Sequence, residues 1–245
     1  MKSSYPLILL TMLFSIVFAK DSRPILSWVV LDTENIQTAS QHDGLPSNNS
    51  IGYAPSATDA ANFINHCSKT TLTNGESFTG GSCNGIVMGN IPSEENMIST
   101  IITYPSPGEI LPAGRSFLVK FQTANLVAGC VTNPNATLYS APQALQDGKV
   151  VGHVHITIQT LSDYTRNDGD GSSIMLPDPT TFVFFQTVFG VGDEKGWFSV
   201  LVNDGLSAGF YRVCTMVAAS NHQPVVMPVV ERGAQDDCQK FRVGK

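Results

Sequence analysis

From about Met97 to the C-terminus the chain alternates short runs of β-branched and aromatic residues with clusters of turn formers. STIITY (99–104), SFLVKFQT (116–123), KVVGHVHITIQTL (149–161), TFVFFQTVF (181–189), WFSVLVND (197–204), GFYRVCTMVAA (209–219) and PVVMPVVE (224–231) read as strands, because such side chains suit a pleated, half-buried surface. PSPGE, PAGR, NDGDGSS and NDGLSAG read as the turns between them. No long amphipathic helix separates the runs, which argues against a parallel sheet with helical crossovers. The expected fold is mainly β, an antiparallel β-sandwich over 96–245 that buries the apolar side of each strand.

Residues 20–95 have a different texture. The apolar run ILSWVVL (25–31) leads into a long polar stretch rich in Ser, Asn and Gly, which predicts an irregular segment packed on the sandwich. One short helix is expected within it. Ser56 can cap a segment in which Ala57, Ala60, Ala61 and Ile64 recur at helical spacing, ending near Cys67.

The chain begins MKSSYPLILLTMLFSIVFAKD, a lysine followed by an apolar run from Leu7 to Phe18 and then Ala19 before charge. This predicts a secretory signal peptide over 1–19 and a mature start at Lys20. The run is shorter than the roughly 20 apolar residues of a bilayer-crossing helix, and no later stretch reaches that length. The expectation is a secreted, extracellular protein with no membrane span.

An oxidising route makes the five cysteines disulfide candidates. Short loops close at the lowest entropic cost, which favours Cys67 with Cys83 and Cys214 with Cys238 and leaves Cys130 as the odd thiol. The same route makes the sequons at Asn48 (Asn48-Asn49-Ser50) and Asn135 (Asn135-Ala136-Thr137) candidates for glycosylation. A net charge of −6 with only 14 Lys plus Arg argues against nucleic acid or anionic lipid as a partner.

Candidate chemistry centres on GHVH. On a strand His153, His155, Thr157 and Gln159 share one face, and Val154, Ile156 and Ile158 share the other. The plain reading sends the apolar face to the core and the polar face to water. The sharper reading notes that two imidazoles about 7 Å apart along a strand can close on one ion when a third ligand arrives from a neighbour. His222, in SNHQP just after a strand, is that candidate. Three imidazoles suit Cu or Zn, and no other cofactor is implied. A copper polysaccharide oxygenase would use a mature N-terminal histidine, where Lys20 is expected here.

Other constellations are weaker. NDGDGSS sets Asp168, Asp170 and Ser172 like the first half of a calcium loop, but Ser173 stands where that loop needs glycine and Pro179 where it needs glutamate. G-x-S-x-G is absent, GGSCNG being the nearest stretch. Glu94-Glu95, Asp193-Glu194 and Asp236-Asp237 are adjacent pairs whose members diverge on a strand or a helix, so no catalytic residue is assigned. Phe182, Phe184, Phe185 and Phe189 suit a core better than a sugar platform, which favours Trp and Tyr. A cell-wall carbohydrate binder is therefore the weakest reading.

Gly152, His153 and His155 in G-H-x-H, Asn221 to Pro224 in N-H-Q-P, and Cys67 with Cys83 carry a resemblance to a family of small secreted fungal proteins, similar from about Asn62 to Phe241. Many of that family bear a label as a small-subunit ribosomal protein, which a secretory leader and an acidic chain contradict. Many also lack counterparts of Cys130, Cys214 and Cys238. The resemblance implies secretion and an effector-like role, with no established activity to carry over. The expected function is thus a secreted non-catalytic protein at the extracellular or host interface, with a host or cell-wall component as partner. The alternative is a Cu/Zn-binding protein or metalloenzyme centred on His153, His155 and His222.

Overall fold

A computed structural model describes residues 30–45, 54–161 and 176–244. The expected leader, the Asn48 sequon, NDGDGSS and most of ILSWVVL lie outside these residues. The chain divides into two compact units, Met1–Ile64 and Asn65–Lys245.

In the first unit, short 3-10 turns occupy Thr33–Asn35 and Thr38–Gln41. The helix expected from Ser56 does not form. Asn62 and Phe63 adopt φ of 51° and 59°, in the left-handed region that a right-handed helix excludes. Asp59 Oδ1 accepts from the backbone N–H groups of Ala61 (2.6 Å) and Phe63 (3.0 Å), an alternative that competes with helical bonding. Ile64, expected on the apolar face, is 56% exposed.

Among the described residues the second unit holds ten strands: β1 (Ser99–Tyr104), β2 (Ile110–Pro112), β3 (Phe117–Ala124), β4 (Leu126–Val127), β5 (Leu145–Gln146), β6 (Lys149–Thr160), β7 (Phe184–Val188), β8 (Trp197–Val202), β9 (Gly209–Ala219) and β10 (Cys238–Gly244). One sheet runs β1-β3-β8. The other runs β2-β10-β9-β6-β4, with β5 and β7 also paired to β6. Pairing is mainly antiparallel, as expected for a sandwich, with short parallel pairs at β10–β2 and β4–β6.

Period-two burial explains how the sheets meet. Ile102 of β1, Val119 and Phe121 of β3, and Phe198, Val200 and Val202 of β8 point inward from the smaller sheet. Val154, Ile156 and Ile158 of β6, Tyr211, Val213 and Val217 of β9, and Phe241 and Val243 of β10 do so from the larger. Phe121 and Phe198 face each other in register and stack at 5.0 Å. Each such side chain stabilises the fold by about 1.5–3 kcal/mol on burial.

Two strand expectations need correction. PVVMPVVE contributes only a bridge between Pro224 and Ala218, because Pro224 and Pro228 lack the N–H that a ladder requires. CQKFRVG, whose Gln, Lys and Arg disguise it, forms β10 and closes the edge of β9. The aromatic run is also less buried than expected. Phe184 packs against the core, but Phe182, Phe185 and Phe189 are 57%, 43% and 72% exposed, since the register that turns Phe184 inward beside Ile158 turns Phe185 outward beside Thr157.

Candidate metal centre

Strand β6 lies inside its sheet, bound to β9 from Gly152 to Thr160 and to β7 from Val154 to Ile158. Gly152 is required by close approach, because a Cβ there would run into the Ala218 carbonyl of β9. The outward face of β6 is not the wet face of the plain reading. His153 is fully buried and Gln159 is buried, and the side chain of Gln159 donates to the carbonyls of Asp178 and Thr181 and accepts from Arg212. Over His153 runs the segment around Cys130, tied down by Cys130 N–H to Gly152 C=O (3.0 Å) and Thr132 N–H to Ser220 C=O (2.9 Å).

N-H-Q-P builds the turn that follows β9. Ala219 N–H donates to Gln223 C=O and His222 N–H to Ala219 C=O, while buried Asn221 donates from Nδ2 to Ala141 C=O and Gln223 Oε1. His222 takes φ of 72°, which swings its ring back over β6. The structure therefore brings His153, His155 and His222 together, with one ring nitrogen from each within 4.8 Å of the others. The His222 ring centroid lies 4.7 Å from that of His153 and 5.9 Å from that of His155.

The remaining nitrogens are held. His153 Nδ1 lies 3.1 Å from Cys130 C=O and His222 Nε2 lies 2.7 Å from Thr132 C=O, so each carries its proton there and leaves a lone pair on its other nitrogen. His153 Nε2 and His155 Nε2 are 3.0 Å apart, so His155 donates to His153 and accepts at Nδ1 from Thr187 Oγ1 at 3.0 Å. Moving the His155 proton to Nδ1, where Thr187 Oγ1 can accept it, frees the third lone pair. Backbone carbonyl or hydroxyl partners on the outer nitrogen are the usual way a metal-binding imidazole is oriented. Burial lowers the pKa of His153 and of His155 from 6.5 to about 4, with charge on neighbouring imidazoles acting in the same direction. Both are therefore neutral, the form that binds metal.

The CLU5d N-terminal domain family matches residues 100–244. The chain belongs to that family. The matched region contains all three histidines and their anchors. A relative, Pathogenicity cluster 5 protein d of Colletotrichum graminicola (strain M1.001 / M2 / FGSC 10212), is 51% identical over 218 residues, which are 87% of this chain and 43% of the relative. The chain thus spans less than half of that relative's length. Among solved structures, the fibronectin(III)-like modules of Clostridium thermocellum CbhA align with 59% of this chain and 45% of theirs at 12% identity and a TM-score of 0.27, a likeness too slight to argue from.

Elsewhere in this CLU5d chain, Cys67 pairs with Cys83 and Cys214 with Cys238, while Cys130 is a half-buried free thiol. Asn135 is exposed on a turn over 133–137. Sequence reasoning missed Thr187, the carbonyls of Cys130 and Thr132, and Met216, which stands opposite His155 in the β6–β9 register. Only knowledge of which strands pair could have found them.

Proposed function

We propose that this CLU5d domain belongs to an exported virulence protein that acts outside the fungal cell by holding a Zn or Cu ion on His153, His155 and His222. The carrying observation is the convergence of three imidazole nitrogens whose partner nitrogens are already anchored. Export is supported by the leader-like N-terminus and by two disulfides. A role in virulence is supported by the printed name of the 51% identical relative. A non-catalytic role at a host or cell-wall component fits the use of the carboxylates of Asp178, Asp236 and Asp237, which accept from neighbouring backbone N–H groups.

The test is elemental analysis of protein purified from culture medium and dialysed against traces of Cu and Zn, alongside the variant His155→Gln. Near-stoichiometric metal in the wild type and little in the variant is expected. A metal-free wild type would overturn the metal reading, and retention of the chain inside the cell would overturn export.

A further inference from the structure

We infer that the centre is built for copper in its cuprous state, with the thioether of Met216 as fourth ligand. This rests on the tri-histidine reading above and names the ion within it. Met216 of β9 stands directly opposite His155 of β6 in an antiparallel ladder. Partners so placed project to the same side, with Cβ atoms about 4.5–5.5 Å apart. The neighbouring outward pair on the same two strands is Ala218 with His153. The donors thus come from β6 (His153, His155), from β9 (Met216) and from the turn after β9 (His222), all on one face of the sheet.

Met216 has no part in the core. The positions of β9 that pack inward are Tyr211, Val213, Thr215, Val217 and Ala219, all buried, whereas Met216 is 41% exposed. An apolar, flexible side chain held at the sheet surface beside the half-buried imidazole of His155 is better explained as a ligand than as packing.

Charge and softness both choose the ion. Among the described residues no carboxylate or thiolate joins the cluster, so three imidazoles and a thioether form a donor set of zero charge. His153 is fully removed from water. The cost of desolvating an ion rises with the square of its charge, so a neutral, partly dry site penalises a divalent ion far more than a monovalent one. Thioether sulfur is a soft donor that selects cuprous copper, whereas zinc takes nitrogen, thiolate and carboxylate donors.

The experiment measures cuprous ion affinity anaerobically in ascorbate against bicinchoninate, and zinc affinity by calorimetry, for wild type, Met216→Leu and His155→Gln. Met216→Leu conserves volume at an exposed site and should fold normally. The expected result is one cuprous ion per wild-type chain, bound more tightly than zinc. Met216→Leu should weaken copper by at least about tenfold, the scale on which even groups that only orient a ligand act, with zinc changed less than about twofold. X-ray absorption at the copper edge should show sulfur in the first shell of the wild type and lose it in Met216→Leu. Unchanged copper affinity and no sulfur signal would overturn the role of Met216 while the tri-histidine centre stands. Zinc bound more tightly than cuprous copper would overturn the choice of ion. Failure of the wild type to bind either metal would overturn this inference and the tri-histidine reading together.

Discussion

Thr187 offers the cleanest view of the centre at the scale of one residue. Its hydroxyl touches the far nitrogen of His155 and has no place among the donors, so its effect on metal is through the imidazole it orients. Thr187→Val keeps the shape and removes that partner. Metal affinity should fall by about 10–100-fold, read by titration, and Thr187→Ser should restore most of it. The buried histidines also set the pH response of the metal-free protein. Their folded pKa values of about 4 lie below the unfolded value near 6.5, so between these limits the unfolded chain binds more protons. Stability is then fully present above about pH 6.5 and is lost as pH falls toward 4, by at most about 1.4 kcal/mol per unit for each histidine. Urea midpoints in a chelator from pH 7.5 to 4.5 check this, and a flat profile would contradict it.

At the scale of elements, strand β9 outruns its partner. Strand β10 pairs with it only from Gly209 to Cys214, and beyond that point Asp236 takes over the free edge. Asp236 Oδ1 accepts from Val217 N–H at 2.8 Å and Thr215 Oγ1 at 3.0 Å. Asp236→Ala would leave a buried N–H without a partner and should cost about 1–3 kcal/mol in denaturant unfolding, with Asp236→Asn costing less because an acceptor remains. Loss of order at this edge should also loosen the turn that carries His222. The helix expected from Ser56 shows the opposite situation. Its alanines had the right spacing, but Ala57, Ala60 and Ile64 stay exposed, and the Asp59 side chain supplied competing bonds.

For the molecule as a whole, the two disulfides do different work. Cys214 and Cys238 sit opposite each other in the β9–β10 ladder, so their bridge reinforces a pairing that hydrogen bonds already make. Cys67 and Cys83 tie together an irregular stretch in which backbone ladders are reduced to single bridges such as Leu72 with Cys83. Each bridge should contribute about 2–4 kcal/mol by restricting the unfolded chain. Cys67→Ala/Cys83→Ala should additionally raise protease sensitivity within residues 65–90, whereas Cys214→Ala/Cys238→Ala should lower the thermal midpoint with no new cleavage site. Limited proteolysis followed by mass mapping separates the two outcomes.

Neighbours along the chain were enough to settle part of this fold. Alternation placed Val154, Ile156 and Ile158 on one side of β6 and the histidines on the other, and turn chemistry separated the strands. Proximity of the cysteines was enough to choose their partners. Pairing between distant segments settled the rest. It covered the outward face of β6 with the chain around Cys130, and it turned His222 back through a left-handed residue after β9. It also set Thr187 and Met216 on either side of His155. Periodicity tells which side of a strand a residue occupies. What lies against that side is settled by pairing between segments far apart in sequence, and no local pattern encodes it.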